Sequence, residues 1–284
     1  MRLHWRSLLI IVVALAVIAG VYPAWRHFHP VSAADGWDYR VFASGIPMVS
    51  ALELDNQGGL YASQELPNGH GKILQLKPDG KISTVLTDLS KPDGLAIFRG
   101  SLVVGQEGGM LQVLLILGGQ VKALFEGDSI EGVATNGSAL YAIEDKPQGR
   151  LLRYVPETQQ LSVLREGLDE GEGVTVCPDG RLFYTEKGKG WVKQWQPEGQ
   201  DKIVAEGLNA PGFVQCTPDG LWITEDVTHG ARLLWLGADG QLTTVLTHLR
   251  AAQAIVNLGA GHYLLAEQGR NRILDVFPAP QTPK

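Results

Sequence analysis

The sequence predicts an all-β fold of six four-stranded blades, on three observations: a turn-rich composition, a six-fold repeat and an alternating strand pattern. The 284 residues include 35 glycines and 15 prolines, and 44% are hydrophobic. One domain of this length needs so many turn residues only if it is dense in turns. The repeat runs from about residue 44 to 277 without a linker, which indicates a single domain.

The repeat is a short apolar strand that ends on a carboxylate. In the clearest copy, PDGRLFYTE, a Pro-Asp-Gly turn leads into an apolar run that stops at Glu186. Successive copies end 42, 37, 42, 39 and 42 residues apart, which is the range of propeller blades or solenoid units. The terminal residues are Glu65, Glu107, Glu144, Glu186, Glu225 and Glu267.

The fourth repeat shows the strands of one unit most clearly. Alternating apolar residues and glycine-containing turns divide it into four short strands, which predict an antiparallel meander. Neighbouring repeats contain matching fourth strands. The strands of the fourth repeat are predicted at 173–177, 181–185, 190–195 and 201–205, and the fourth strands of other repeats at 81–86, 120–125 and 241–246.

The two ends of the repeat region predict a closed ring. The sixth repeat ends after the strand at 271–277 and lacks a fourth strand, whereas YRVFA at 39–43 precedes the first repeat and can supply it. A ring closed in this way has no exposed sheet edge to protect. We therefore predict a six-bladed β-propeller over residues 37–278, followed by a tail at 279–284.

An N-terminal segment, residues 1–25, differs from the repeat. Two arginines precede an uncharged apolar run from Leu8 to Tyr22. The run is long for a signal peptide and slightly short for a membrane span, although Trp25 can lie at the far interface. We expect a hydrophobic helix that contacts a membrane through residues 5–25, either as a retained anchor, which we favour, or as a signal cleaved after Ala33.

The large domain is therefore expected outside the cytoplasm, membrane-anchored or in the periplasm or extracellular space, with residues 26–36 as a linker. Loss of the N-terminal segment removes two of the 24 basic residues and no acids, which leaves 22 against 30 and a net charge of −8. This charge argues against a nucleic-acid partner. We expect a monomer that acts on a small molecule.

The two cysteines occupy equivalent positions in neighbouring repeats, Cys177 four residues after Gly173 and Cys216 four residues after Gly212. Equivalent side chains of stacked sheets point the same way, and packed sheets lie about 10 Å apart. This geometry favours two small core residues over a disulfide, although an exported pair is normally oxidised.

The repeat resembles a known superfamily. The PDG-L-W/Y-x-T/A-E unit, the short glycine-led third strand and the count of six resemble the regucalcin/gluconolactonase group, with its strictosidine synthase-like and NHL-repeat relatives. DGLWITED and LLAEQGRNRI also resemble the repeat of virginiamycin B lyase. The resemblance covers about residues 37–277, and its motifs specify the fold far more strongly than the chemistry.

In such a blade the second strand ends beside the start of the innermost strand, so all six glutamates are predicted on one face. Each can cap backbone N–H groups or pair with a base such as Lys146, Lys187 or Arg270. The residues that begin the inner strands lie closer to the axis. Alignment on the glutamates places Ser50, Asp93, Glu131, Glu172, Pro211 and Gln253 there.

Three consecutive blades thus direct carboxylates, those of Asp93, Glu131 and Glu172, at one place. Like charges raise one another's pKa unless a cation lies between them, and oxygen ligands suit Ca²⁺ or Mg²⁺. The resemblance implies a metal at these strand starts, with Gln253 and Asn209 as further ligands and Ca²⁺ favoured over Mg²⁺. This chain has acids where the family uses asparagine, and the alternative is a hydrated acidic tunnel without an ion.

Two histidines, His70 and His229, are predicted in loops of the same face, each before the glycine that opens a third strand. Either could act as a general base or bind a substrate; the alternative is an exposed loop residue. The sequence has no nucleophile elbow, phosphate-binding loop or paired zinc motif.

Three functions remain open. The favoured one is a metal-dependent hydrolase of a lactone or ester, in which the cation polarises the carbonyl, Asp93 or a neighbouring carboxylate accepts a proton from water, and a histidine borders the substrate. The others are a lyase or quinone-dependent oxidoreductase on the same scaffold, and a non-catalytic propeller that binds a protein or a glycan.

Overall fold

The computed structural model describes residues 11–12, 15, 20–22, 24–25, 29–55 and 57–280. Within them the chain forms six antiparallel sheets, each built mainly from consecutive strands. Two strands near the N-terminus, β1 (Ser32–Ala33) and β2 (Trp37–Ser44), precede the first blade. The predicted six-bladed propeller of four-stranded blades is confirmed.

Each blade begins at the axis and runs outward. The strands are β3 (Val49–Leu54), β4 (Leu60–Gln64), β5 (Gly71–Leu76) and β6 (Ile82–Leu89) in blade one; β7 (Pro92–Phe98), β8 (Ser101–Gln106), β9 (Met110–Leu117) and β10 (Gln120–Asp128) in blade two; β11 (Ile130–Thr135), β12 (Leu140–Glu144), β13 (Pro147–Val155) and β14 (Gln160–Asp169) in blade three.

The second half repeats this order. The strands are β15 (Gly171–Val176), β16 (Leu182–Glu186), β17 (Trp191–Gln194) and β18 (Lys202–Ala205) in blade four; β19 (Pro211–Thr217), β20 (Gly220–Glu225), β21 (Ala231–Gly237) and β22 (Leu242–Leu249) in blade five; β23 (Ala252–Gly259), β24 (His262–Glu267) and β25 (Arg272–Pro278) in blade six. Short 3₁₀ turns lie at Lys187–Lys189 and Gln268–Arg270.

The ring closes as the sequence predicts. β2 pairs antiparallel with β25, from Trp37 opposite Pro278 to Ser44 opposite Arg272, and is the outer strand of blade six. The junction is well packed, because Trp222 is 1% exposed and lies between the rings of Trp37 and Tyr263. The first and last strands of the propeller therefore share one sheet.

Part of the predicted linker belongs to the propeller. β1 adds a fifth strand to blade five, with Ser32 opposite Thr247 and Ala33 opposite Leu246. We call the face at which the inner strands begin the upper face. The outer strand β22 ends on that face, so its antiparallel partner β1 starts there, and the chain enters the propeller from the upper face.

The six inner strands approach one another closely around the axis. A Cβ on Gly132 would lie 2.6 Å from the carbonyl oxygen of Glu172, and one on Gly173 would lie 2.6 Å from the carbonyl oxygen of Gly212. Each of these glycines directly follows an acidic residue at the start of its strand. Only glycine permits this approach, so the acid-glycine pairs are a packing requirement as well as a candidate site.

The prediction of two reduced core cysteines is wrong. Cys177 and Cys216 form a disulfide, with their Cα atoms 5.3 Å apart. The expected 10 Å spacing holds for stacked sheets, but propeller blades converge at the axis. Because both cysteines belong to inner strands or their ends, they lie within bridging distance.

Most of the apolar N-terminal run lies outside the described residues, so the membrane helix stays a prediction. Those of its residues that are described, such as Ile11, Leu15 and Tyr22, are helical and exposed. Among the described residues no helix is both long and apolar enough to cross a membrane.

We predict that the disulfide contributes substantially to stability. It closes a loop of 39 residues, and the loss of that constraint in the unfolded chain corresponds to about 4 kcal/mol. The double variant Cys177→Ala/Cys216→Ala should unfold at clearly lower denaturant concentration, and dithiothreitol should lower the wild-type Tm but not that of the variant. A variant that unfolds at the wild-type midpoint would contradict the bridge.

Candidate functional site

Four of the six terminal glutamates have the structural role that the sequence left open for them. Each is the last residue of its second strand, accepts a backbone N–H from the loop before the inner strand and pairs with a base. Glu144, for example, accepts from the backbone N of Asp128 at 3.0 Å and is bidentate with Arg150. The bases are Arg150 and Lys146 for Glu144, Lys193 for Glu186, Arg232 for Glu225, and Arg270 and Arg272 for Glu267.

Glu65 and Glu107 depart from this role, and their predicted place at the end of a strand is wrong by one residue. β4 ends at Gln64 and β8 at Gln106, which pair with the inner strands as Glu144 does in blade three. The Gln106 side chain accepts the backbone N–H of Ser90 at 3.1 Å. In blade two an amide oxygen thus replaces the carboxylate, whereas in blade one Gln64 donates Nε2 to the carbonyl oxygen of Pro47 at 3.1 Å. In both blades the glutamate that follows is released from the strand.

The released glutamates belong to a ring of loop residues above the inner strands. In each blade the residue after the second strand donates its backbone N–H to the carbonyl just before the inner strand, at 2.8 to 3.0 Å. This contact fixes the loop residue over the mouth of the central tunnel. The six positions are Glu65, Glu107, Asp145, Lys187, Asp226 and Gln268.

A second ring lies directly below, at the second residue of each inner strand. Ser50, Asp93, Glu131, Glu172 and Gln253 take this position as predicted, and all are buried. In blade five the residue is Gly212 and not Pro211, because Pro211 is the one that pairs with Glu225. A Cβ on Gly212 would lie 2.9 Å from Glu172 Oε1, so the glycine leaves room for that side chain.

The carboxylates of blades one to three converge. Oxygen atoms of Glu65, Asp93 and Glu107 lie within 4.8 Å of one another, and so do those of Glu107, Glu131 and Asp145. Glu107 belongs to both groups. The structure therefore assembles a different set from the predicted one, since loop and inner-strand acids meet and Glu172 is not among them.

Two oxygen atoms in this cluster have no hydrogen-bond donor. Asp93 is fully buried and Glu131 is 5% exposed; Asp93 Oδ1 accepts from the Ser50 hydroxyl, but Asp93 Oδ2 and Glu131 Oε2 have no donor among the described residues. Burial, and next the charge of Glu65, raise the pKa of Asp93, while burial and Asp93 raise that of Glu131. The two carboxyl groups can bond to each other only if one holds a proton, and a cation would relieve the same penalty.

In blades four to six, the negative charge at the tunnel mouth is balanced by a lysine that belongs to the loop ring itself. Lys187 lies 2.8 Å from Glu172 and 2.8 Å from Asp226, and Gln253 Nε2 donates to Asp226 Oδ1 at 2.9 Å. Glu172 and Gln253, both predicted metal ligands, are thus engaged by this lysine and aspartate. Asn209 lies farther out on the rim, where its backbone N–H donates to Glu225.

The mouth as a whole is strongly acidic. Seven carboxylates belong to the two rings, whereas the cations beside them are Lys187 and Lys91, which pairs with Glu65 at 3.2 Å and with Glu107. Burial is also the main cause that raises the pKa of Asp145 to about 6. The excess negative charge lies in blades one to three, at the two carboxylate groups.

The histidines lie at the periphery. His70 is exposed in the loop between β4 and β5, and His229 is half-buried in the loop between β20 and β21. Both loops are on the upper face as predicted, and neither histidine is a member of the two clusters that contain Glu107. His262 lies on the lower face and contacts Asp275 at 2.8 Å.

Below the mouth, the inner strands enclose a cavity of about 200 Å³, and residues such as Leu95, Val133 and Val174 line it. Polar atoms nevertheless form most of the surface of this cavity. Glu53 also lines it, and burial raises the pKa of Glu53 from 4.5 to about 8. The acidic rings therefore lie at the entrance of a small cavity with a largely polar surface.

Comparisons with known proteins agree with this fold. Protein strictosidine synthase-like 7 of Arabidopsis thaliana is 26% identical over 216 residues, which are 71% of this chain and 53% of that protein. The chain spans about half the length of this relative. A gluconolactonase from Xanthomonas campestris has a TM-score of 0.71 at 15% identity, over 88% of this chain and 97% of that chain. For virginiamycin B lyase from Staphylococcus aureus the TM-score is 0.62 at 12% identity, over 88% and 100%.

No family model matches the chain. The chain has the six-bladed β-propeller fold of the gluconolactonase and the lyase, and its sequence is similar to that of a strictosidine synthase-like protein. The resemblance seen in the repeat is confirmed. Because a gluconolactonase and a lyase share the fold, the fold alone does not select a reaction.

The donor set of the two carboxylate groups suits a divalent cation. The candidate ligands are all carboxylates, which suit Ca²⁺, and two of their oxygens are buried without a donor. Sequence reasoning missed Glu65, Glu107 and Asp145 as ligands. The Gln-Glu pairs at 64–65 and 106–107 were the available signal, since either residue could end the strand.

We predict that Ca²⁺ stabilises the protein through Glu131 and not through Glu172. Ca²⁺ at about 100 times its Kd should stabilise the folded state by about 2.7 kcal/mol. Glu131→Gln should lose most of this gain, because a ligand charge is removed, whereas Glu172→Gln should keep it, because Lys187 already holds that carboxylate. The measurement is Tm with Ca²⁺ and with chelator; if both variants melt higher than wild type and Ca²⁺ shifts none of the three, no cation binds here.

We also predict that Glu53 makes the protein less stable as the pH rises from about 5 to 8. The folded-state pKa of about 8 lies above the ordinary 4.5, so in this window the folded state keeps a proton that the unfolded chain has released, and stability falls with pH. Glu53→Gln should reduce the fall in Tm between pH 5 and 8, and the exposed control Glu198→Gln should not. Equal slopes for wild type and Glu53→Gln would contradict the assignment.

Proposed function

We propose that this protein is a hydrolase of lactones or related esters that uses a divalent cation at the mouth of the propeller tunnel. The observation that carries the proposal is the pair of buried, donor-free carboxylate oxygens of Asp93 and Glu131, beside Glu107 and Asp145. Such groups are costly unless a cation or a reaction uses them, and strongly perturbed carboxylates in a cleft are typical of active sites. The structural similarity to a gluconolactonase supports the lactone class.

Two sets of residues offer a place for the cation. In the set of Glu107, Glu131 and Asp145, the ammonium of Lys91 pairs with one carboxylate, that of Glu107. In the set of Glu65, Asp93 and Glu107, it pairs with two, those of Glu65 and Glu107. We therefore favour the first set. The bound cation would supply a Lewis acid for the ester carbonyl.

The side chains around this position have separate roles. Asp93 is held by the Ser50 hydroxyl through Oδ1, which leaves Oδ2 free to accept a proton from a water molecule. Its raised pKa makes it a stronger base than an ordinary aspartate. Lys187 forms ion pairs with Glu172 and Asp226, and its positive charge offsets part of the negative charge on the opposite side of the mouth.

The substrate is expected to be neutral and to enter from the upper face. The mouth carries an excess of carboxylates, which repel anions, and a cavity of about 200 Å³ lies beneath it. His70 and His229 lie on loops of this face and stay predicted substrate contacts. The Cys177–Cys216 disulfide supports export, because such bridges persist in oxidising compartments. We therefore propose an exported protein held at a membrane by its N-terminal run.

The decisive experiment is an activity screen of the full chain, purified in mild detergent, against aliphatic lactones with Ca²⁺ and with chelator. Asp93→Asn should abolish hydrolysis with little change in Tm, because the proton acceptor is lost. Glu186→Gln should lower stability by about 1 kcal/mol, a capping hydrogen bond, and leave turnover almost unchanged. If Glu186→Gln inactivates a folded protein while Asp93→Asn stays active, the site has been placed on the wrong residues.

A further inference from the structure

A second cleft opens on the upper face, between β1 and blade six. Its volume is about 410 Å³, and the chain that follows the apolar N-terminal run forms one wall. It lies outside the axial carboxylate site. The lining residues are His29, Pro30, Val31, Tyr39, Arg250, Gly269, Arg270 and Arg272.

The cleft concentrates positive charge in a chain whose net charge is −6. Three arginines line it, and the carboxylate that pairs with them is Glu267, which contacts both Arg270 and Arg272. Arg250 forms no ion pair among the described residues, and its Nε is buried without an acceptor. The cleft therefore has an excess of about two positive charges and a buried donor that lacks a partner.

The N-terminal run is attached at this cleft. Arg270 donates to the carbonyl oxygen of His29 at 2.8 Å, and the His29 ring stacks on His248 with ring centres 3.8 Å apart. Trp25 packs edge-on against His248 at 6.2 Å. Six residues separate Tyr22, the last residue of the apolar run, from His29, so even a fully extended chain spans at most about 25 Å between them.

We propose that this arginine cleft binds the phosphate of a membrane lipid headgroup and so holds the upper face of the propeller toward the bilayer. A guanidinium donates two parallel hydrogen bonds to a phosphate, and a phosphate supplies the acceptor that Arg250 lacks. Phosphate groups of lipids are the anions nearest to the end of an apolar segment in a membrane. The excess positive charge of the cleft, the unpaired donor of Arg250 and the nearby apolar run therefore all favour a lipid phosphate as the ligand.

The orientation has a consequence for the candidate active site, which rests on the proposed function. The carboxylate rings open on the same face as the cleft, so a substrate would reach them from the membrane–water interface. This favours lactones or esters with an apolar tail over fully water-soluble sugars. Lipid binding at the cleft does not depend on this consequence.

The binding test uses the full chain in a non-ionic detergent and a soluble short-chain lipid, dihexanoyl phosphatidic acid. The lipid should raise the Tm, and Arg250→Gln should weaken binding about tenfold, the effect of a hydrogen bond to a charged group. The control Arg181→Gln, in a lower-face turn, should bind as wild type does. Dihexanoylglycerol, which lacks the phosphate, should have no effect.

Two results would overturn the proposal at this stage. If inorganic phosphate at equal concentration stabilises the protein as well as the phospholipid does, the cleft is a site for free phosphate. If Arg250→Gln and Arg181→Gln bind the phospholipid equally, the cleft is not the site at all.

The orientation test compares two labels within blade one, on the full chain in phosphatidylcholine–phosphatidylglycerol vesicles. Asn68→Cys labels an exposed upper-face loop and Asp79→Cys an exposed lower-face turn, and the native cysteines are buried in their disulfide. A headgroup-attached quencher should reduce fluorescence at residue 68 several-fold more than at residue 79, and Arg250→Gln should narrow the difference. Equal quenching of both labels, or no effect of Arg250→Gln, would refute the orientation. Lactonase activity is not measured, so this outcome is independent of the proposed function.

Discussion

The close approach of six inner strands around one axis is the constraint on which the rest of the structure depends. Three of these strands have glycine at their third position, and there it removes the Cβ that would strike the next strand, as Gly132 and Gly173 show. The residue before each glycine then has no place but the tunnel mouth. The same convergence brings Cys177 within 5.3 Å of Cys216, far closer than two stacked sheets permit. Packing, the covalent bridge and the candidate site thus share one cause.

The convergence creates a tunnel mouth in which blades one to three carry more uncompensated negative charge than blades four to six. In blades four to six, Lys187 takes a loop position that carries an acid in blades one, two, three and five, and it balances Glu172 and Asp226. In blades one to three the loop acids come close to Asp93 and Glu131, whose burial leaves oxygen atoms without donors. A six-fold scaffold therefore carries a one-sided site. Buried carboxylates without a partner lower the stability of the folded protein, and such groups are typical of active sites.

The arginine cleft and the chain segment that follows the N-terminal run both lie at the upper face of the propeller. β1 fixes the direction in which the chain arrives, and Arg270 ties His29 to the blade-six loop. The arginines of this region stand apart from an otherwise acidic molecule, and they lie beside the N-terminal run while the carboxylates lie at the axis. Charge of opposite sign is thus separated on one face, with the cations at the rim and the acids at the centre. Such a distribution can engage an anionic surface and still offer a cation or neutral substrate a separate binding place.

The sequence by itself determined the number of blades, their strand order and the closure by residues 39–43, because alternation, turn residues and a fixed period are local signals that need no knowledge of distant contacts. It also located Asp93, Glu131 and Glu172 at the axis, because alignment of the repeats on their terminal glutamates marks the start of each inner strand. Only the tertiary structure decided the partners. It paired Glu172 with Lys187, placed Glu65 and Glu107 one residue beyond strands that end at Gln64 and Gln106, put Gly212 where Pro211 was expected, and joined two cysteines whose distance depends on how steeply the blades converge. These outcomes depend on strand register and on contacts between blades, and a repeat seen one copy at a time contains no information about either.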